Sequence, residues 1–198
     1  FPEVWEAFDV PREGGLGHRL DQGTSGVLLV ARTAEAHAAL RRAFTEHRCE
    51  KTYEALVAGR VPAKGLHIDA PIAHDPADAT RMVVGAGRGQ PRNAQSRVRT
   101  LRSSSEASWV CLQTSTGARH QVRVHLASRG HPLVGDALYG GPASLLGHPW
   151  LHARSVRLPE DLTRAWGLAE ASFQAPVPGP FVEAAAALGL PPTGGHSG

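Results

Sequence analysis

The stretch HRLDQGTSGVLLV sets one carboxylate, Asp21, into a loop of turn-forming and hydroxyl residues that runs straight into an apolar segment. A lone carboxylate kept ionised in such a loop acts as a base or a nucleophile; one without a chemical task caps a turn. Arg19 stands two residues before it, Tyr53 lies in KTYEALVAG, and Arg119, His120, Gln121 and Arg123 follow one another in TGARHQVRVHL. To stay charged away from water, a carboxylate needs a guanidinium or a similar cation beside it. Taken singly, Tyr53 on an alternating strand reads as core, and Arg119 with Arg123, four apart, as a solvated helix face.

Other chemistries fail on spacing. GTSGV is not a nucleophile elbow, because Val27 stands where the second glycine belongs. GAGRGQ lacks the Lys-Ser/Thr pair of a phosphate loop and the third glycine of a dinucleotide fingerprint, and reads as a flexible connection. His120 and His125 are five residues apart, which on a helix points them roughly 140° from each other. His148 and His152 are separated by Pro149, with no cysteine or carboxylate to join them, so no metal is expected. A glycosidase would need a second acid facing Asp21, and only a tertiary contact could supply it.

The net charge of the 198-residue chain is only +3, but it is laid out unevenly. Residues 80–135 hold nine arginines and a single acid, Glu106, which makes this segment +8 and leaves −5 for the remainder. Such segregation suits a polyanionic partner. The two cysteines, Cys49 and Cys111, form no CxxC pair, so a reducing compartment is expected. No run of 18 or more apolar residues is present, and FPEVWEAFDVPRE has neither the basic start nor the apolar centre of a signal peptide. A soluble protein that does not enter a membrane is the expectation.

The elements that must position these residues follow from periodicity. VLLVA (27–31) reads as a buried strand, after which Thr33 caps a helix with Ala36, Leu40, Ala43 and Phe44 on one face. KTYEALVAG (51–59) alternates with period two, and further strands are predicted at 80–84, 93–102, 107–113 and 151–159. A helix is predicted over 117–129, stopped by Gly130 and Pro132, and a last helix over FVEAAAALGL. PPTGGHSG (191–198) reads as a disordered tail.

Four segments, HRLDQGTSGVLLVA, KTYEALVAG, TGARHQVRVHLASRGHPLVGDALYG and LHARSVRL, in this order, resemble the motif series of the RluA-type pseudouridine synthases. The resemblance spans residues 17–158 and implies an α+β fold, a mixed, mainly antiparallel sheet flanked by helices, as one catalytic domain over 1–190. It implies isomerisation of uridine in RNA to pseudouridine, without a cofactor, with large-subunit ribosomal RNA as the expected substrate. Asp21 would attack C1′ or remove a proton from C2′, with Arg123 as its guanidinium partner. Tyr53 would pack on the flipped uracil and help move the C5 proton. Arg19 would fill the space the flipped base leaves, a step costing about a few kcal/mol. Arg119, His120 and Gln121 complete the expected RNA contacts.

The chain departs from the family pattern where Ala118 replaces the first arginine of Thr-Gly-Arg-x-His-Gln-x-Arg. That change and the RNAQSRVRTL segment resemble the mitochondrial branch, so a mitochondrial location stands beside the bacterial cytoplasm. Seventeen residues precede His18, and the family's upstream strand with Lys-Pro-x-Gly is expected to be absent, whereas FQAPVPGPF resembles its closing strand and turn. The alternative function is a noncatalytic RNA-binding factor in ribosome assembly.

Overall fold

KTYEALVA folds as the predicted strand, β2 (Glu50–Ala58), and its alternation serves two cores at once. Tyr53, Ala55 and Val57 pack with Val98, Val110, Leu112, Val122 and Leu126 on one side, whereas Leu56 packs with Trp109, Trp150 and Phe181 on the other. A strand covered on both faces belongs at the centre of a sheet. In the computed structural model, which describes residues 14–144 and 146–190, β2 lies between β8 (Ala107–Thr114) and β9 (Leu151–Arg157), antiparallel to both. The seven-stranded sheet runs β1-β9-β2-β8-β7-β3, with β1 (Ser25–Gly26), β3 (Leu66–Asp69) and β7 (Gln95–Ser103), and β10 (Ser172–Gln174) pairs β9. Only β1 and β9 pair in parallel among the described residues. The chain is therefore a mixed α+β fold with a mainly antiparallel sheet.

Among the described residues, four helices cover it. Helix α1 (Ala34–Thr45) is capped by Thr33, whose hydroxyl accepts the Ala36 N–H at 3.2 Å, and buries Leu40 and Ala43. Helix α2 (Gln121–Ser128) lies against the Tyr53 side through Val122 and Leu126. Helix α3 (Glu160–Ala165) packs Leu162 beside Leu40, and α4 (Gly179–Ala187) sends Phe181 and Ala185 into the second core.

Three sequence expectations are corrected here. VLLVA is not a buried strand: pairing with β9 stops at Gly26, and Leu28 and Val30 are 42% and 50% exposed. Gly26 has φ +118°, and a Cβ there would lie 2.2 Å from the Ala153 carbonyl oxygen, so the chain meets β9 at a point only glycine can occupy and then leaves it. GAGRGQP is not a loose connection. Its second half forms β6 (Arg88–Arg92), which joins β4 (Ile72–His74) and β5 (Met82–Val84) in a three-stranded sheet. All five β6 residues are exposed, so no apolar alternation could announce it.

The helix expected over 117–129 begins only at Gln121, because His120 adopts a left-handed conformation, φ +54°. The Gln121 side chain holds the preceding turn: its Oε1 accepts from Ala118 N–H and from the Thr116 hydroxyl. The tail over 191–198 lies outside the described residues.

Candidate active site

A cleft of about 770 Å³ opens between the Asp21 loop, the end of α1, β2 and the turn before α2. Its floor includes Tyr53 and Lys51, which share one side of β2. Asp21 is the single acid among its lining residues, against Arg19, Arg41, Lys51, Arg92 and Arg119.

The loop is pinned from several directions. Thr24 N–H closes a turn on the Asp21 carbonyl at 3.0 Å, and Val27 N–H donates to the Ala153 carbonyl at 2.9 Å. The Ser25 hydroxyl lies 2.9 Å from His152 Nδ1. His18 Nε2 accepts the Leu29 N–H at 3.0 Å while its ring packs 4.6 Å from Phe44. Burial, reinforced by the nearby Lys51 charge, pushes His18 down to about 4, so it is a neutral brace.

With its loop so held, the Asp21 carboxylate itself makes no hydrogen bond or ion pair among the described residues. Its charge nonetheless reaches Tyr53, His120 and Arg123. Burial first, and then Asp21, pushes the Tyr53 phenol up to about 12, so this half-buried ring keeps its proton at any physiological pH. Its hydroxyl has no partner among the described residues.

Arg123 differs from expectation in its partner. Its Nε and Nη2 donate to Oδ2 and Oδ1 of Asp136, each at 2.7 Å, and its guanidinium stacks 5.1 Å from the Tyr139 ring. Burial opposes its charge, but the Asp136 bonds and the two carboxylate charges, Asp21 included, hold it above its usual range. The third nitrogen, Nη1, has no partner among the described residues. Arg123 is thus a fork locked by one acid within the electrostatic range of another.

His120 shares the same network, its Nδ1 2.9 Å from the Tyr139 hydroxyl, which also accepts the Met82 N–H at 2.9 Å. The arrangement that satisfies both has Tyr139 donating to Nδ1 and the imidazole carrying its own hydrogen on Nε2. Burial lowers the affinity of His120 for a second proton, although Asp21 works the other way.

Arg19 is exposed at the cleft and Arg119 lines its other side, its Nη1 3.3 Å from the Ala79 carbonyl. Gln121 is 5% exposed, and its Nε2 lies within 2.9 Å of Thr114 Oγ1, Thr116 Oγ1 and the Gln95 carbonyl. Its amide ties β7, β8 and the turn together at the edge of the cleft, which the residue also lines. His125 and His152 are likewise occupied, each ring nitrogen with a protein partner. No group of three or more His, Cys, Asp or Glu among the described residues is placed to hold a metal ion.

Sequence reasoning missed Asp136, Tyr139 and Lys51. GDALYG stood in the motif series without a role, and Lys51 is two residues before Tyr53, the spacing that puts both on one side of a strand.

Residues 5–128 match the family model described as RNA pseudouridylate synthase. The chain belongs to that family. It is 40% identical over 158 residues to an uncharacterized RNA pseudouridine synthase YhcT of Bacillus subtilis, covering 80% of this chain and 52% of that protein. It is also 40% identical over 159 residues to ribosomal large subunit pseudouridine synthase D of Nitrosomonas europaea, covering 80% and 44%. The chain thus spans about half the length of these curated relatives. Among solved structures, human RNA pseudouridylate synthase domain containing 4 superposes with a TM-score of 0.70 at 26% identity, covering 87% of this chain and 75% of that one. Human RNA pseudouridylate synthase domain containing 1 gives 0.68 at 29% identity, covering 81% and 68%.

Proposed function

We propose that this family member isomerises uridine to pseudouridine in RNA, with large-subunit ribosomal RNA as its substrate. The observation that carries the reading is Asp21: a carboxylate with no partner among the described residues, the single acid lining a cleft that also holds five cations and the protonated Tyr53, its charge reaching the Arg123 fork that Asp136 locks. In the reaction the bond from C1′ to N1 breaks, a bond from C1′ to C5 forms, C5 loses its proton and N1 gains one. Asp21 acts at the sugar, either on C1′ or on the C2′ proton, and Tyr53 packs on the freed base with its hydroxyl at the proton transfer. Arg123 keeps Asp21 ionised when RNA seals the cleft from water.

Arg19 reaches toward the stack that the uridine leaves, and Arg92 and Arg119 take up the phosphate backbone. The arginine-rich segment divides its labour: Arg97 and Arg99 are exposed on β7, while Val98 between them faces the core. The ribosomal target is taken from the Nitrosomonas relative, and the cytoplasm from the bacterial relatives. The mitochondrial reading rests on Ala118 and RNAQSRVRTL.

Release of tritium to water from ribosomal RNA labelled at uridine C5 tests the proposal, because only the isomerisation frees that hydrogen without changing RNA mass. Wild-type protein is expected to release it and Asp21→Asn is not. Free uracil among the products would identify a glycosidase. Tight RNA binding with neither product would identify an assembly factor.

A further inference from the structure

Lys51 is the one cation of the cleft that is deeply buried, 8% exposed, and its Nζ makes a single hydrogen bond, to the Thr116 carbonyl at 2.6 Å. No carboxylate among the described residues lies within ion-pair distance, so two of its three N–H donors have no partner. A buried ammonium with one neutral acceptor is an incomplete site, since its lost hydration is recovered only when an anion approaches. Burial lowers Lys51 to about 8, which still leaves it mostly protonated at neutral pH.

The surroundings leave room for that anion. Gly117 borders the ammonium so closely that a Cβ there would lie 2.9 Å from Nζ, and its lack of a side chain keeps Nζ open to the cleft. Phe44 closes another side, its ring centroid 6.0 Å from Nζ. Asn93 and Arg119 face the same space. Lys51 and Tyr53 are two positions apart on the strand, about 7 Å, so an anion on Lys51 sits about one nucleotide from a base on Tyr53.

We propose that Lys51, opened to the cleft by Gly117, is a subsite for an internucleotide phosphate next to the target uridine. This rests on the RNA-modifying function proposed above. The probe is pentauridylate, its binding followed by fluorescence anisotropy between 50 and 300 mM salt, on the order of the range over which phosphate contacts are lost.

Lys51→Met is expected to weaken binding about tenfold or more at the lowest salt and to reduce the slope of log Kd against log salt by about 0.7, the share of one phosphate on a single strand. Its melting temperature should not fall, because Met removes a buried charge. Lys51→Gln, which keeps a donor for Thr116 without the charge, should lose the same slope. A pentauridylate with neutral methylphosphonate linkages should bind wild type and both variants equally.

Unchanged affinity and slope in both variants, beside salt-dependent binding by wild type, would overturn the subsite and leave the function standing. A difference that persists with the neutral oligomer would also overturn it, because Lys51 would then touch base or sugar. Failure of wild type to bind pentauridylate at all would overturn the subsite, while the function is read separately by tritium release from ribosomal RNA.

Discussion

Asp136 is 1% exposed and its two oxygens are both engaged by Arg123, whose side chain is 9% exposed. Replacing it with Asn keeps the shape but leaves a guanidinium in the interior without its counter-charge. Breaking a buried pair from one side costs about 3–5 kcal/mol, and Asn, which can still accept one bond, should fall near 3. For a chain of this size that corresponds to a melting temperature about 6–12 °C lower. Activity should fall further, about a hundredfold or more, because the guanidinium within electrostatic range of Asp21 is no longer fixed in place. The double variant Arg123→Met, Asp136→Leu separates the two effects. Removing both charges in favour of apolar groups of similar size is often neutral, so its stability should return to within about 1 kcal/mol of wild type. Its activity should stay lost. Calorimetry and tritium release on wild type, Asp136→Asn and the double variant give both quantities. A double variant that still releases tritium, or an Asp136→Asn protein that melts and turns over like wild type, would refute the reasoning.

Other outcomes follow from the same geometry. Asp21→Asn should abolish tritium release while leaving the melting temperature unchanged or slightly raised, since the carboxylate has no partner among the described residues to lose. Arg123→Lys should lose most activity and destabilise the fold, because an ammonium cannot make the fork's two bonds to Asp136; near-normal turnover would count against the assignment. Tyr53→Phe should bind pentauridylate normally and lose turnover. Its stability relative to wild type should improve as pH rises from 10 to about 12, because the unfolded phenol ionises first and the folded one resists. Paired chemical denaturation curves at pH 9 and 11 check the sign. Gly26→Ala should destabilise by about 1–3 kcal/mol or more through its positive φ and the close Ala153 carbonyl, measured by urea unfolding.

How much of this was legible depended on whether a residue's task was local. Tyr53 lies on a strand whose alternation is visible in sequence, and the Thr33 cap and the helix it starts are short-range signals. Asp21 could be singled out by its loop, yet its lack of a partner among the described residues is a tertiary fact. The Arg123–Asp136 pair joins a helix to a turn thirteen residues on, and no spacing rule distinguishes that contact from the Asp21 pairing that was expected. Lys51 looks like an ordinary strand lysine until burial is known. The apolar run VLLVA misled because hydrophobicity reports what a segment could bury, not whether it does so. Strand β6 was invisible for the opposite reason: its pairing is carried by the backbone, which every sequence possesses.

The placement of Ser25–Gly26 against β9, and of β9 against β2, has a consequence for tolerance to change. The acid's loop and the phenol's strand are two ladder steps apart, about 10 Å from backbone to backbone. That interval is twice the spacing between hydrogen-bonded strands, so it functions as a ruler whose divisions do not depend on side-chain identity. Exchanges that leave the rungs intact can drift freely around the cleft without altering its calibration. An insertion that shifts one rung would move the two groups out of step however well everything else was preserved.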